Sequence, residues 1–235
     1  MNLILLFAED FVDAHRVVIE GRRFAHITTI HRAVVGDQLI VGLAEGQIGS
    51  GTVTRIDRQS LEMQTELVFD PPAPLPITLL LALPRPKVLS RVIETITAMG
   101  VKELFLINTA RVEKSFWQSD RLDDDVVNAH LILGLEQGKD TRLPRVQMRK
   151  KLRPFLEDEL PGIAVGTSSL VAHPGASQEC PYKLESAVTL AIGPEGGFID
   201  KEISMFEEAG FTPVNLGSRI LRVESAIPAL LGRLF

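Results

Sequence analysis

A proline-rich segment divides the chain into two parts whose hydrophobic patterns differ. Residues 70–76, with the sequence Asp-Pro-Pro-Ala-Pro-Leu-Pro, contain four prolines in seven positions. Proline lacks the backbone N–H that a helix or a central strand needs, so this segment has to remain extended. We therefore predict two domains, at residues 1–70 and 77–235, joined by a linker at residues 71–76.

Before the linker, short apolar runs recur with turn-forming residues between them. Strands are predicted at residues 3–7, 38–41, 51–56 and 61–68. Short strands at this spacing are typical of a small barrel. Between the first two strands, residues 22–34 place Phe24, Ile27, Ile30 and Val34 near helical spacing, which predicts one helix packed on the barrel.

After the linker, strand-like and helix-like runs alternate along the chain. Strands are predicted at residues 77–83, 104–107, 163–165, 188–192 and 214–216, and helices at residues 87–99, 120–137 and 200–209. Alternation of this kind predicts a parallel sheet covered by helices, which is the α/β class.

Two of the predicted helices carry further detail. In the first, Leu89, Val92, Ile93 and Ile96 share one face, which predicts that this face packs on the sheet. In the third, Asp200 is a candidate for the N-terminal cap, because its carboxylate can accept hydrogen bonds from the free N–H groups of the first turn.

Composition limits the classes of protein that this chain can represent. It has 235 residues, of which 45% are hydrophobic and 23% charged, as in ordinary globular proteins. The longest apolar runs are too short to cross a bilayer and the N-terminus lacks a secretory signal, so we expect a cytoplasmic location. The single cysteine, Cys180, has no partner for an internal disulfide and no zinc-ligand spacing around it. No metal site is predicted.

A local basic run contrasts with the net charge of −5. Between residues 142 and 153 the chain carries six basic residues and no acidic one. Such a run can bind phosphate groups, although a solvated basic helix start explains it equally well. Spacing alone leaves both interpretations open.

Two glycine-containing segments each follow a predicted strand and precede a helical pattern. The first is Gly-Pro-Glu-Gly-Gly at residues 193–197, and the second begins at Leu216 and Gly217. Open α/β sheets bind ligands at the carboxyl ends of their strands, so the two loops are candidates for one shared site. Neither loop has the spacing of a dinucleotide-binding loop or of a P-loop. A tight strand-to-helix turn is the alternative explanation of the first segment.

The second glycine-containing segment mixes charged and apolar residues. Arg219 and Arg222 flank Ile220 and Leu221, and Glu224 follows. Apolar side chains and exposed backbone suit an adenine, whereas the charged groups suit a polar substrate. The alternative is that both arginines pair with acidic neighbours at the surface.

Read together, the two segments are I-G-P-E-G-G-F and L-G-S-R-I-L-R-V-E-S-A. They resemble the signature of the RsmE-type methyltransferases of small-subunit (16S) ribosomal RNA, which are uracil-N3 enzymes of the SPOUT superfamily. The resemblance implies a SPOUT-type parallel-sheet methyltransferase domain with a C-terminal trefoil knot, preceded by a small PUA-like β-barrel that binds RNA. It also implies S-adenosylmethionine as cofactor, a homodimer, and 16S ribosomal RNA as partner.

The resemblance assigns residues to the cofactor site. Those expected around S-adenosylmethionine are Ile192, Gly193, Gly196, Gly197, Leu216, Gly217, Ile220, Leu221, Ser225 and Ala226. A third loop of such enzymes follows an earlier strand. Thr167 and Ser169, or else the nearby His173 and Pro174, correspond to it.

The implied reaction is an in-line transfer of the methyl group to N3 of a uridine. A positive group has to stabilise the negative charge that develops on the uracil oxygens, and Arg222 is the first candidate. Glu224 and Glu195 are candidates for accepting the N3 proton or for holding Arg222 in place. A carboxylate at a helix start is, alternatively, a simple cap.

Candidate RNA contacts are drawn from both predicted domains. They are Arg22, Arg23, Arg32, Arg85, Lys87 and Arg142. For the first three, the alternative is a solvated surface arginine.

The chain departs from the family pattern at Val223 and Thr95. Pro228 is also unusual, because it lies about one turn inside the last helix, which is predicted to start near Glu224. Two alternatives to uracil-N3 methylation therefore stay open. One is a methyltransferase of the same fold that acts on another RNA nucleotide. The other is an RNA-binding module with vestigial catalysis.

Overall fold

The computed structural model describes residues 2–235, which divide into two compact units. The first unit extends to Ala73 and takes in Ile132–Leu143, and the second comprises Pro74–Leu131 and Pro144–Phe235. The predicted division placed all of residues 77–235 in one domain, so residues 132–143 mark a difference from it.

The physical reason lies in contacts of residues 132–143 inside the first unit. Leu135 is buried in a small cluster with Leu3 and Leu5. The backbone N–H groups of Asn2 and Leu3 both donate to the carbonyl of Glu136, each at 3.0 Å. These long-range contacts bring the segment to the first unit across about half of the chain, which local sequence patterns do not reveal.

The first unit contains a five-stranded mixed sheet. Its strands are β1 (Ile4–Leu6), β2 (Arg16–Glu20), β3 (Gln38–Leu43), β4 (Ile48–Ile56) and β5 (Ser60–Phe69). The order is β1-β3-β4-β5-β2, with β1 parallel to β3 and the other pairs antiparallel. Four of the strands coincide with predicted runs, whereas β2 was missed.

The single predicted helix of this unit is shorter than its pattern suggested. Helix α1 (Gly21–His26) continues into a wide helical turn at Ile27–His31 and stops at Arg32, whose φ is 54°. Ile27 is fully buried, but Ile30 and Val34 are 67% and 60% exposed. The predicted apolar face was therefore wrong beyond Ile27, because the wide turn changes the angular spacing at Ile30 and the backbone leaves the helical path before Val34.

Two arginines predicted to contact RNA form ion pairs within the first unit. Arg23 binds the carboxylate of Asp10 through both terminal nitrogens, at 2.5 and 2.8 Å, and Asp10 is only 7% exposed. Arg22 lies 3.0 Å from the carboxylate of Glu136, which is buried. Burial raises the pKa of Glu136 above its ordinary value of 4.5, and Arg22 opposes that rise. Both guanidinium groups are thus held by carboxylates inside the first unit, whereas Arg32 is exposed, and the RNA contacts of all three stay a prediction.

The second unit contains a seven-stranded sheet in which all pairs are parallel. Its strands are β6 (Ile77–Ala82), β7 (Glu103–Ile107), β8 (Arg145–Arg149), β9 (Ser168–Ala172), β10 (Gln178–Glu179), β11 (Val188–Ile192) and β12 (Thr212–Asn215). Their order is β10-β12-β9-β11-β6-β7-β8. The α/β class predicted from alternation is confirmed.

Six helices accompany these strands in the sequence. They are α2 (Pro86–Ala98), α3 (Asp124–Gly138), α4 (Leu152–Pro154), α5 (Leu160–Ile163), α6 (Asp200–Glu208) and α7 (Val223–Leu234). The predicted buried face of α2 is confirmed, since Leu89, Val92, Ile93 and Ile96 are each at most 1% exposed.

Two local predictions in this unit were wrong. The strand expected at residues 163–165 is absent because the chain stays helical from Leu152 through Ile163, and Val165 beyond it is 77% exposed. Asp200 does not cap α6. Glu202 takes that role, since its carboxylate accepts the backbone N–H of Ile199 at 3.1 Å.

The register of the parallel sheet places six strand ends at one level. Val214 pairs with Ala172, Ala172 with Ile192, and Ile192 with Leu81. The same row continues from Leu81 to Leu106 and Met148. The loops that follow β12, β9, β11, β6, β7 and β8 therefore leave the sheet side by side at its carboxyl edge.

The basic run covers the edge strand β8 and then, after Lys150 and Lys151, the start of helix α4 at Leu152, so the helix-start interpretation holds for its last residues. Arg149 lies 2.7 Å from the carboxylate of Glu159, and Arg153 lies 3.2 Å from that of Glu157. Arg145 is 3.9 Å from Glu103 on the neighbouring strand. Three of the six basic residues are thus partly neutralised within the unit.

Neither a membrane-spanning helix nor a metal-binding cluster is present in the described residues. No helix within residues 2–235 combines the length and the apolar character that crossing a membrane requires. The same residues contain no group of three or more histidine, cysteine or acidic side chains placed to hold a metal ion.

We predict that Arg23→Ala lowers the free energy of unfolding by about 3 kcal/mol, because it leaves the largely buried Asp10 carboxylate without its cation. Arg32→Ala is the matched control, since Arg32 is exposed and forms no ion pair within the described chain, so a change of less than about 0.5 kcal/mol is expected. Urea unfolding followed by circular dichroism measures both. Equal losses in the two variants would contradict the structural role of Arg23.

Candidate cofactor site

A cavity of about 350 Å³ lies at the carboxyl edge of β12, β9 and β11. Its floor is the paired row of Val214, Ala172 and Ile192 at the ends of these strands. Its walls are three loops, at residues 173–174, 193–198 and 215–221. These loops are distant in sequence, and the in-register pairing of the three strands brings them together around the cavity.

The loop after β11 is packed closely at two of its glycines, where a Cβ atom would crowd its neighbours. A Cβ atom on Gly193 would lie 3.0 Å from the backbone nitrogen of Phe198, and one on Gly196 would lie 3.0 Å from Cδ of Arg111. Gly197 adopts a φ of +72°, in the left-handed region that favours glycine. The three glycines therefore expose backbone to the cavity.

Arg111 is a site residue that sequence patterns did not identify. It follows β7, lies over the loop after β11 and donates a hydrogen bond from Nη1 to the carbonyl of Gly196. It also lines the cavity. An isolated arginine in a loop carries no pattern, and only the pairing of β7 with β6 and of β6 with β11 places it here.

Two carboxylates brace the same loop. Glu202, which is 5% exposed, accepts the backbone N–H of Ala110 at 2.7 Å as well as that of Ile199. Glu195 accepts the backbone N–H of Arg85 at 3.0 Å. The loop after β11 is thus connected to the loops that follow both β6 and β7.

The loop after β12 supplies the apolar side of the cavity. Gly217 has a φ of +97°, and its N–H donates to the side chain of Asn215 at 2.7 Å. Beyond this turn, Ile220 and Leu221 line the cavity while remaining 81% and 42% exposed. Uncovered apolar side chains beside polar backbone form a surface suited to a flat, partly polar ring.

Most residues expected at the cofactor site do line the cavity, although not all. Those that line it are Ile192, Gly193, Gly196, Gly197, Leu216, Gly217, Ile220, Leu221 and Ala226. Ser225 is exposed and lies outside the lining, one residue before Ala226.

The placement of the third loop at Thr167 and Ser169 is corrected by the structure. Both residues lie at the amino end of β9, where the hydroxyl of Thr167 is 2.8 Å from that of Thr189. The cavity is at the opposite end of the strand. His173 and Pro174, the alternative assignment, follow β9 and line it.

The three candidate catalytic residues occupy different positions. Glu195 lines the cavity. Arg222 and Glu224 lie at the start of α7, outside the lining, and Arg222 is exposed between two lining residues, Leu221 and Val223. The carbonyl of Arg222 accepts the N–H of Ala226 at 2.7 Å, so the backbone at this position is held by the first turn of the helix.

The departures from the family pattern are accommodated without disruption. Val223 is 5% exposed and packs in the core of the unit while lining the cavity. Helix α7 continues through Pro228 to Leu234. The cavity therefore forms with these residues in place.

Of the other candidate RNA contacts, Arg85 and Lys87 belong to the second unit and Arg142 to the first. Arg85 and Lys87 are exposed and follow β6, next to the cavity. Arg142 lies between α3 and β8 and belongs to the first unit, where its N–H donates to Asp140 at 3.0 Å.

Comparison with known proteins agrees with this architecture. Residues 71–234 match the model of the RNA methyltransferase domain family. A ribosomal RNA small subunit methyltransferase E from Treponema pallidum is 27% identical over 234 residues, which cover 96% of this chain and 87% of the relative.

Two solved structures share the fold. A putative methyltransferase from Legionella pneumophila, in complex with the bound cofactor SAM, has a TM-score of 0.76 and 23% identity, with 98% of this chain and 94% of the other covered. A ribosomal RNA small subunit methyltransferase E from Neisseria gonorrhoeae, bound to S-adenosyl methionine, has a TM-score of 0.74 and 18% identity, with 97% and 95% covered. The resemblance to the RsmE-type group is confirmed, and because the family model spans well over half of its residues, this chain belongs to the RNA methyltransferase domain family.

Proposed function

We propose that this protein transfers a methyl group from S-adenosylmethionine to N3 of a uridine in small-subunit (16S) ribosomal RNA. The observation that carries the proposal is the cavity between the loops after β11 and β12, whose residues include most of the motif shared with RsmE-type enzymes. The relatives from Treponema pallidum and Neisseria gonorrhoeae are both named as methyltransferases of the ribosomal RNA small subunit, which supports the choice of RNA. The choice of N3 rests on the resemblance of the motif.

The cavity fits S-adenosylmethionine in size and chemistry. Its volume of about 350 Å³ lies in the range of roughly 300–1,000 Å³ that is usual for small-molecule sites. Ile220 and Leu221 offer an apolar surface to the adenine, and the backbone around Gly193 and Gly196 offers polar groups to its edge. When bound, the cofactor supplies an electrophilic methyl group on a sulfonium.

The residues at the start of α7 serve the RNA substrate in this proposal. Loss of the N3 proton leaves negative charge on the uracil oxygens, and Arg222 stabilises that charge from the rim of the cavity. Glu224 or Glu195 accepts the proton or orients Arg222. The loops hold the nucleophile and the methyl group in line, which removes much of the entropic cost of the reaction.

We further propose that the C-terminal segment forms the trefoil knot of the SPOUT superfamily. Strand β12 lies between β9 and β10, both earlier in the chain, which supports a crossing of this kind. The N–H groups of Lys183 and Leu184 donate to the carbonyls of Arg233 and Leu234, at 2.9 and 2.7 Å, and these bonds support a chain end drawn back against residues 183–184.

The other proposed features extend the family resemblance to the whole protein. The five-stranded mixed sheet supports a PUA-like barrel as the first domain, with Arg32 as an RNA contact. Residues 71–76 then act as the linker, and two copies of the chain form a homodimer in the cytoplasm.

The proposed reaction predicts loss of one modified nucleoside. Ribosomal RNA from a strain that lacks this gene should lack 3-methyluridine, and a plasmid copy of the gene should restore it, as measured by mass spectrometry of nucleosides. Loss of a different methylated nucleoside would show that the protein is a methyltransferase that acts on another RNA nucleotide. An unchanged nucleoside profile would indicate an RNA-binding module without catalysis.

A second prediction concerns the loop after β11. Gly196→Val should weaken S-adenosylmethionine binding about tenfold to a hundredfold, because the new side chain crowds Arg111 at the cavity wall and overpacking costs about 1–3 kcal/mol. Isothermal titration calorimetry measures the dissociation constant. Gly162→Val is the matched control, since a Cβ at Gly162 meets no atom within 4 Å and this glycine lies outside the cavity lining. Unchanged binding by Gly196→Val would place the cofactor elsewhere.

A third prediction separates chemistry from cofactor binding. Arg222→Ala should reduce kcat about 100-fold to 1,000-fold, as expected when one group that stabilises the transition-state charge is removed, while the dissociation constant for S-adenosylmethionine stays the same. Arg222→Lys keeps a positive charge, so its kcat should fall less than that of Arg222→Ala. Wild-type kcat in the alanine variant would remove Arg222 from the mechanism.

A further inference from the structure

Three neighbouring strands of the second unit are each followed by two exposed basic residues. They are Arg85 and Lys87 after β6, Arg111 and Lys114 after β7, and Lys150 and Lys151 after β8. Because β6, β7 and β8 are adjacent and in register, all three pairs emerge from the same carboxyl edge. We call these six residues the cation row.

The cation row differs from the other basic residues near it in being free of carboxylate partners. Within residues 2–235, none of its six members forms an ion pair. By contrast, Arg145, Arg149 and Arg153 of the same basic run each lie within 4.0 Å of a glutamate carboxylate. Charge available for a partner is therefore concentrated at the strand ends rather than along β8.

The part of the cation row that follows β6 and β7 lies at the proposed cofactor site. Arg111 lines the cavity, and the backbone N–H of Arg85 is bound by Glu195, another lining residue. At the other end, Lys150 lies 5.6 Å from the ring centre of Trp117. The indole N–H of Trp117 donates to the side chain of Asn108 at 2.8 Å, which holds this ring in place.

The dimensions of the row suit a short stretch of nucleic acid. Adjacent strands are about 4.8 Å apart, so the three strand ends span about 10 Å. At a rise of about 3.4 Å per nucleotide, this corresponds to about three stacked nucleotides. Adjacent strand ends, about 4.8 Å apart, lie within the screening length of about 8 Å at physiological salt, so charges at neighbouring strand ends act together.

We propose that the backbone of the RNA substrate lies along the cation row, from the cavity at β11 toward the outer edge of the sheet at β8. The inference rests on the proposed function, since it takes RNA as the substrate. It adds Arg111, Lys114, Lys150 and Lys151 to the substrate-binding residues. It also excludes Arg145 and Arg153, which the basic run alone would have included.

Acidic side chains make the two ends of the cation row differ in their expected attraction for phosphate. Glu195 lies at its cavity end and is bound to the backbone of Arg85, and Glu113 is exposed between Arg111 and Lys114. No acidic residue separates Lys150 from Lys151 or follows them before Glu157. Phosphate binding is therefore strongest at the outer end, away from the reacting base.

The proposal is tested through the salt dependence of RNA binding. Each phosphate contact contributes about 0.7 to 0.9 to the slope of log Kd against log salt concentration. The double variant Lys150→Gln/Lys151→Gln should reduce the slope by about 1.4 to 1.8 with unmethylated 16S ribosomal RNA transcribed in vitro. It should raise KM for RNA without changing kcat or the dissociation constant for S-adenosylmethionine.

The matched control is Arg145→Gln/Arg153→Gln, which removes two positive charges from the same run but only ion-paired ones. Its slope should equal that of the wild type, and thermal unfolding shows whether each variant is folded. The proposed role of the cation row would be wrong if both double variants reduced the salt slope equally, or if neither reduced it.

Methyl transfer by the wild-type protein is measured in parallel, so that the two proposals fail separately. If the wild type methylates the RNA while Lys150→Gln/Lys151→Gln keeps the full slope, the cation row is wrong and the proposed function stands. If the slope falls as expected but no methyl group is transferred, the row stands and the proposed function is wrong.

Discussion

The in-register pairing of the parallel strands is the constraint on which the rest of the second unit depends. A single row of paired residues runs from Val214 through Ile192 to Met148, so the loops that follow six strands leave the sheet together. A shift of one residue would move a strand's side chains to the other face of the sheet. In β11 all five residues are buried, so such a shift would exchange side chains between two close-packed faces and force the core on each side to repack. The site is thereby assembled by the core rather than by the loops themselves.

Hydrogen bonds between loops then give the cavity its shape. The loop after β11 is held from three sides, by Arg111 on the Gly196 carbonyl, by Glu202 on the backbone of Ala110 and Ile199, and by Glu195 on the backbone of Arg85. Glycines leave its backbone open to the cavity, whereas the bracing side chains come from neighbouring strand ends and from α6. A loop held in this way loses little additional freedom when a ligand binds, which favours affinity.

The arginines and lysines of this protein divide into two groups that sequence alone does not separate. Arg22 and Arg23 look like surface cations near the N-terminus, yet each neutralises a buried carboxylate inside the first unit. Lys150 and Lys151 lie in the same run as Arg145 and Arg153, yet only the lysines lack a carboxylate partner in the described chain. The pairing of charges depends on which acidic residue the fold brings within 4 Å, and that residue is often distant in sequence.

Local patterns were sufficient to predict the α/β class, the buried face of α2 and the two glycine-containing loops, because hydrophobic periodicity and glycine placement act over a few residues. The tertiary structure alone decided the rest. Strand order brought Arg111 to the cavity. The third loop lies at His173 rather than at Thr167, because the chain is helical through Ile163 and the strand runs from Ser168 to Ala172. Residues 132–143 joined the first unit through Leu135 and Glu136. The sequence by itself thus determined which elements form and which motif they present. Their contacts across tens of residues set the cavity, the ion pairs and the cation row, since these contacts arise only when strand register and packing bring distant residues together.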